Sequence, residues 1–317
     1  MKKNRKLTAI YLFCAFIITI AATALRTVAL HSHYDTETGY FLQKGAITVA
    51  NWLTVAVVLG AVSYIFAADK RKKYVAAYND SATFISSSLV ALSLVFLIFE
   101  LFSDLLKPLN STATAILATN LICIVLAILA AVAFVLTAIM NSRRNVTRAA
   151  YQILAVLFFS LYAAYIYFTN PYPLNNLVSI TDMMAYLSAA VFFLFEVRIS
   201  LGRDLWHFYT AFGIITASVC AYSSIPTVID YFINGRVVSG SIAQATLTLA
   251  IFIFVSMRLI RSLYLFEDTE AKTVSVIRQK EEASRAKTKE TVESQVTEET
   301  SDEENANYTI DLDGENR

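Results

Sequence analysis

Long apolar runs alternate with short polar segments along most of the chain. Eight runs reach the roughly 20 residues that a helix needs to cross a bilayer core. They cover residues 7–30, 46–68, 82–106, 113–140, 149–169, 177–199, 207–233 and 241–262. Barrel strands would alternate apolar with polar residues, so uninterrupted runs predict helices. The expected fold class is an all-α integral membrane protein, a bundle of eight transmembrane helices.

Composition supports this class. Apolar residues make up 56% of the 317 residues and charged residues only 16%, against about 25% charged residues in soluble domains. A water-soluble fold could not cover so much apolar surface. The expected partner of residues 1–266 is therefore the lipid bilayer. The three cysteines, Cys14, Cys123 and Cys220, all lie within apolar runs and are expected to be free thiols.

Basic residues predict the orientation of the bundle. With a cytoplasmic N-terminus, the inside segments hold 15 Lys and Arg residues and the outside segments hold 4. The positive-inside rule then places both termini in the cytoplasm of a multi-pass protein of the cell membrane. One alternative stays open, because residues 1–24 also resemble a cleavable signal peptide. Its removal would leave seven spans in the same orientation.

The charge of the chain changes sign near residue 266. Residues 1–266 carry a net charge of +9 and residues 267–317 a net charge of −8. We therefore expect a transmembrane domain over 1–266 and an acidic cytoplasmic tail over 267–317, largely disordered or partly helical. The tail is either a solubilising segment or a docking site for a cytosolic protein.

Ionisable side chains within the spans are the best candidates for a functional site, because they are costly in hydrocarbon. Most of them fall in the outer half of their spans, whereas the inner half has mainly Ser and Thr. Glu100 and Asp104 share one helical stripe with Ser103 and Lys107. The sequence predicts an outward-facing polar pocket for a ligand or partner, formed by Arg26, Glu100, Asp104 and Asp230. An ion-paired helix end is the alternative.

The first outer loop offers a weaker candidate site. His31, His33, Asp35 and Glu37 have side chains that bind zinc or copper, although their spacing matches no metal motif. A solvated loop is the alternative interpretation. We therefore expect no metal and no other cofactor.

The sequence narrows the function to non-enzymatic classes. It has no phosphate-binding glycine loop, no zinc-protease motif and no serine-hydrolase motif. We expect neither enzymatic activity nor nucleic-acid binding, and the oligomeric state stays open. A receptor or accessory module ranks first, because the inner half of the spans is weakly polar. A small transporter of a polar or cationic solute is the alternative, and it would need a polar path through that inner half.

Overall fold

The computed structural model describes residues 2–35, 38–68, 81–106, 114–139, 146–169, 176–201, 205–235 and 240–263. By its contacts the chain divides into two units, Met1–Leu265 and Phe266–Arg317. Every described residue belongs to the first unit. The expected tail over 267–317 therefore lies outside the described residues, as do Glu37 and Lys107.

Eight long helices make up nearly all of the described chain. Their bounds are α1 Lys2–His33, α2 Gly45–Ala67, α3 Ser81–Leu106, α4 Thr114–Ile139, α5 Val146–Thr169, α6 Leu177–Ser200, α7 Trp206–Asn234 and α8 Ile242–Leu263. All eight are long and apolar enough to cross a membrane. The prediction of an all-α bundle with eight membrane spans is confirmed.

Local sequence explains where two of these helices begin or end. The side chain of Asn176 accepts a hydrogen bond from the backbone N–H of Val178 and so caps the start of α6. Helix α7 ends at Asn234. The next residue, Gly235, has a φ of 66°, which lies in the left-handed region. Glycine adopts that conformation without the steric cost of a side chain.

The connection between α1 and α2 contains a structure that the sequence did not predict. Strands β1 Tyr34–Asp35 and β2 Tyr40–Phe41 pair antiparallel. Gly39 allows the turn with a φ of 74°. Tyr34 is buried against Leu30 and Val178, so this loop is docked on the bundle instead of being fully solvated.

Polar contacts show that neighbouring helices run antiparallel. Thr8, near the start of α1, hydrogen bonds to Tyr64, near the end of α2, at 2.8 Å. Ser200, at the end of α6, donates to Gln152, near the start of α5, at 2.8 Å. We call the end of the bundle where α1 ends and α2 begins the outer end, after the orientation expected from the sequence. The opposite end is the inner end.

Helices α7 and α8 are the most buried of the eight. Helix α7 packs against α1, α2 and α6, and α8 contacts α4 and α6 through Phe254 and Arg258. The helices at the periphery of the bundle instead expose large apolar side chains, as lipid-facing surfaces do. Examples are Phe13, Trp52, Phe66 and Phe99. Polar chemistry is therefore concentrated around α7 and α8.

Candidate functional site

A cluster of polar side chains lies between α6, α7 and α8 in the outer half of the bundle. Ser223 on α7 donates a hydrogen bond of 2.5 Å to the carboxylate of Asp182 on α6. The hydroxyl of Tyr186 donates to the backbone carbonyl of Gln244 on α8 at 3.0 Å. We call the space between them the outer cavity; it is lined mainly by Asp182, Tyr186, Ser223, Thr227, Gln244 and Thr248.

The outer cavity is small and rich in oxygen atoms. Its volume is about 10 Å³, which is about enough for one water molecule and far below the roughly 300–1,000 Å³ that is typical of ligand pockets. A carboxylate, three hydroxyl-bearing residues of the Ser and Thr type, and an amide line it. These groups suit a cation or a solute with several N–H or O–H donors. The described conformation is nearly closed around the space.

Helix α7 is irregular beside this cavity. Pro226 lies inside the helix and has no N–H, so the carbonyl of Tyr222 lacks its usual helical hydrogen bond. Nearby hydroxyls bond to other α7 carbonyls: Ser224 donates to Cys220 and Thr227 to Ser223. A proline at this position is a common cause of a kink or hinge in a membrane helix.

A different face of the same turn of α7 meets a buried cation. The guanidinium carbon of Arg26 lies 4.4 Å from the centre of the Tyr222 ring, and Arg26 is only 1% exposed. The Tyr222 hydroxyl donates a 2.6 Å hydrogen bond to Asn51 on α2. Within one turn, α7 thus contacts the acidic cavity through Ser223 and the buried Arg26 through Tyr222.

Asp230 forms a further polar contact at the outer end of α7. Its carboxylate accepts a 2.6 Å hydrogen bond from Asn234 and lies 3.8 Å from Nδ1 of His31 on α1. The side chain of Asp230 is buried, whereas that of His31 is 49% exposed. Of the four predicted pocket residues, Arg26 and Asp230 therefore both lie at the contact between α1 and α7.

Glu100 and Asp104 lie elsewhere. Both are partly buried on α3, and both lie near Tyr165 on α5. Helix α1 packs against α2 and α7, whereas α3 packs against α4. The structure consequently brings Arg26 close to Tyr222, not to these two carboxylates.

The metal-site candidates in the first loop are also separated. His31 turns to α7, and the carboxylate of Asp35 accepts a 2.7 Å hydrogen bond from Thr38. Within the described residues, no three or more His, Cys, Asp or Glu side chains are grouped so that they could hold a metal ion. Glu37 lies outside that part of the chain.

A buried ion pair occupies the inner half of the same three helices. Arg258 on α8 donates two hydrogen bonds of 2.9 Å to the two carboxylate oxygens of Glu196 on α6. Tyr209 on α7 donates a third, of 2.7 Å. The side chains of Arg258 and Glu196 are only 3% and 1% exposed. We call these three residues the inner triad.

The inner triad was only partly foreseeable. Glu196 and Arg258 lie near the inner ends of the predicted spans 177–199 and 241–262, but nothing in the sequence pairs them. Their equal depth in the membrane is the feature that could have suggested the pair. Helices α6 and α8 run in the same direction, and Glu196 and Arg258 lie at similar distances from the inner ends of these helices. With Gln152 bonded to Ser200 and Thr8 to Tyr64, the inner half is more polar than the sequence suggested.

An aromatic layer separates the outer cavity from the inner triad. Phe193 on α6 contacts Phe134, Phe159 and Phe254 with ring centres 5.2 to 5.5 Å apart. These side chains come from α4, α5, α6 and α8. Asp182 and Glu196 are 14 residues apart on α6, which corresponds to about 21 Å along the helix axis. The bundle therefore alternates polar, aromatic and polar layers from its outer to its inner end.

Comparison of the chain with protein families, with curated proteins and with solved structures found no match.

Proposed function

We propose that this protein is a small membrane transporter of a polar or cationic solute. The proposal rests on one observation: α6, α7 and α8 together carry a partly buried acidic cavity in one half of the bundle and a buried ion pair in the other. Buried ionisable residues within membrane spans commonly mark solute or proton pathways. A polar path that continues into the inner half is the feature that a transporter requires.

The chemistry of the outer cavity indicates the class of solute. Asp182 supplies a negative charge, and Ser223, Thr227 and Thr248 supply hydroxyl groups. An amine, a guanidine or a small monovalent cation would satisfy these groups at low desolvation cost. The cavity is the candidate binding site, and Asp182 is its principal ligand group.

The remaining layers would act as gates in this proposal. The phenylalanine layer closes the path between the cavity and the inner end, and the inner triad ties α6, α7 and α8 together. Opening to the inner side requires the triad to separate, while Pro226 gives α7 a place to bend. Alternation between two such states is what distinguishes a transporter from a static receptor.

Cysteine accessibility tests this alternation. In a chain with Cys14, Cys123 and Cys220 changed to alanine, Thr227→Cys places one thiol in the outer cavity. A membrane-impermeant thiosulfonate reagent should label it from outside in intact cells and from inside in inverted vesicles. The matched control is Asn234→Cys, which is exposed at the outer end of α7 and should react from one side only. Labelling of Thr227→Cys from one side only, or from neither, would contradict transport.

A receptor or accessory module is the second candidate function. The change of net charge from +9 to −8 near residue 266 supports it, because an acidic tail suits a cytosolic docking partner. Purification of the full chain, and of a chain stopped after Phe266, from a gentle detergent separates the two functions. A stoichiometric partner that only the full chain retains would favour the receptor.

The orientation belongs to the same proposal. The distribution of basic residues supports cytoplasmic termini in the cell membrane. Contacts of α1 on both sides of residue 24, from Thr19 to Ser218 and from Arg26 to Tyr222, support its retention as a span.

A further inference from the structure

The guanidinium group of Arg26 is buried with too few hydrogen-bond acceptors. Its nitrogens Nε, Nη1 and Nη2 are inaccessible to solvent, and none makes a hydrogen bond of good geometry among the described residues; the Tyr222 hydroxyl is near enough to be one weak acceptor. The Tyr222 ring lies 4.4 Å from its central carbon. An aromatic face offsets part of the positive charge, but it cannot replace acceptors for five N–H groups. A buried charge in this state calls for a counter-charge.

A second unsatisfied donor lies on the same face of α1. Thr23 is three residues before Arg26, so the two side chains are neighbours on the helix surface. The hydroxyl of Thr23 is buried without a partner in the described chain. Thr19 and Thr27, in contrast, each donate to the carbonyl four residues earlier. The hydroxyl of Thr23 is thus available to an external acceptor.

Helices α2 and α7, which face Arg26, add a hydrogen-bond donor to its surroundings. The carboxylate of Asp230 on α7 already has other partners. Asn51 uses its carbonyl oxygen to accept from Tyr222, which leaves the N–H groups of its amide as its remaining polar contribution. Asp230 is already bonded to Asn234 and lies near His31. It follows Tyr222 by eight residues, or about 12 Å along α7.

We propose that Arg26, Thr23 and Asn51 bind one small monovalent anion, a halide or a carboxylate, beside Tyr222. The site consists of a planar guanidinium, a hydroxyl and an amide, all of which are hydrogen-bond donors. A guanidinium fork matches the two oxygens of a carboxylate, and it also holds a halide between two N–H groups. This site lies on a different face of α7 from the outer cavity, and it does not depend on the transport proposal.

The test measures the thermal stability of the purified full chain in detergent. Sodium chloride, sodium acetate and sodium methanesulfonate are compared at equal sodium concentration and equal scan rate. Chloride or acetate should raise Tm saturably relative to methanesulfonate, by roughly 3–5 °C at ten times the dissociation constant. Arg26→Gln should abolish that difference. Arg198→Gln removes an exposed arginine at the inner end of α6 and should leave the difference intact.

Two further variants keep the test decisive if Arg26→Gln does not fold. Arg26→Lys retains the charge but loses the fork, and Thr23→Val removes only the hydroxyl. Each variant should raise, at least several-fold, the acetate concentration that gives half of the maximal rise in Tm. The proposal is overturned if the three salts raise the Tm of the wild-type chain equally. It is also overturned if both variants reach half of the maximal rise in Tm at the same acetate concentration as the wild type.

Discussion

The burial of Glu196 and Arg258 removes two charges from water, and three short hydrogen bonds compensate them. The Arg258 guanidinium bonds to both oxygens of the carboxylate, and Tyr209 completes the shell of one of them. A buried pair of this kind contributes little net stability compared with apolar residues of similar size. Loss of one partner is costly, because the other charge is left buried.

We predict that Arg258→Gln destabilises the protein by about 3–5 kcal/mol. The lone carboxylate of Glu196 would then have to be neutralised or hydrated in the interior. A fall in Tm of roughly 5–15 °C should follow, measured by the unfolding of the purified protein. Arg198→Gln, on the exposed face of the same end of α6, should change Tm by far less.

The double variant Glu196→Gln/Arg258→Gln gives an independent check. It removes both charges, so it should be more stable than Arg258→Gln alone. Equal Tm values for Arg258→Gln and Arg198→Gln would show that the pair has no structural role.

The sequence predicted only part of the candidate site. The reason is that the burial of a single side chain depends on residues of other helices. An arginine five residues from a helix end can reach solvent with its long side chain, so the position of Arg258 in the sequence does not by itself predict burial. Its burial depends on α6 presenting Glu196 at the same depth. Arg26 and Asp230 were predicted as pocket residues, but their partners on other helices could not be predicted.

At the scale of helices, α7 and α8 approach each other closely at Gly213. A Cβ atom on Gly213 would lie 2.7 Å from Cδ2 of Leu259, and Leu259 itself is buried. Small residues commonly allow membrane helices to approach in this way. The spacing brings α8 near enough for Arg258 to reach α6.

Gly213→Ala should therefore destabilise the protein by roughly 1–2 kcal/mol, because Leu259 must move in a packed interior. Gly60→Ala is the matched control, since a Cβ atom there meets nothing within 4 Å. Alanine is also the better helix former. Thermal unfolding of both variants measures the difference. Equal tolerance of the two changes would contradict a close α7–α8 contact.

The lengths of the helices were predictable, and their neighbours were not. The apolar runs gave eight spans whose ends agree with the structure to within a few residues for most of them. The main exception is α1, which begins at Lys2 and ends at His33 beyond its predicted run. In lipid, apolar faces do not reveal which helix they pack against. The central position of α7 was visible only in that it is the least apolar of the eight.

At the scale of the whole molecule, we predict that the eight helices cross the membrane with both ends of the chain in the cytoplasm. Reporter fusions at Asn79, Asn145 and Asn307, all outside the described residues, should each give a cytoplasmic signal. A fusion at Gly39, in the turn between β1 and β2, is the control and should report the exterior. The expectation follows from the 15 basic residues of the inside segments against 4 outside. An exterior signal from any of the first three would invert or break this topology.

The contact between α1 and α7 has a consequence for how the chain is made. Thr19 and Ser218, which hydrogen bond across it, are 199 residues apart in the sequence. Because translation adds about 5–20 residues per second, α1 is synthesised on the order of 10–40 s before α7 leaves the ribosome. During that interval the guanidinium of Arg26 and the amide of Asn51 have no Tyr222 to meet, and facing lipid would be costly. Nascent chains that stop before α7 should therefore be held by the insertion machinery or degraded, although six of their eight spans are already complete.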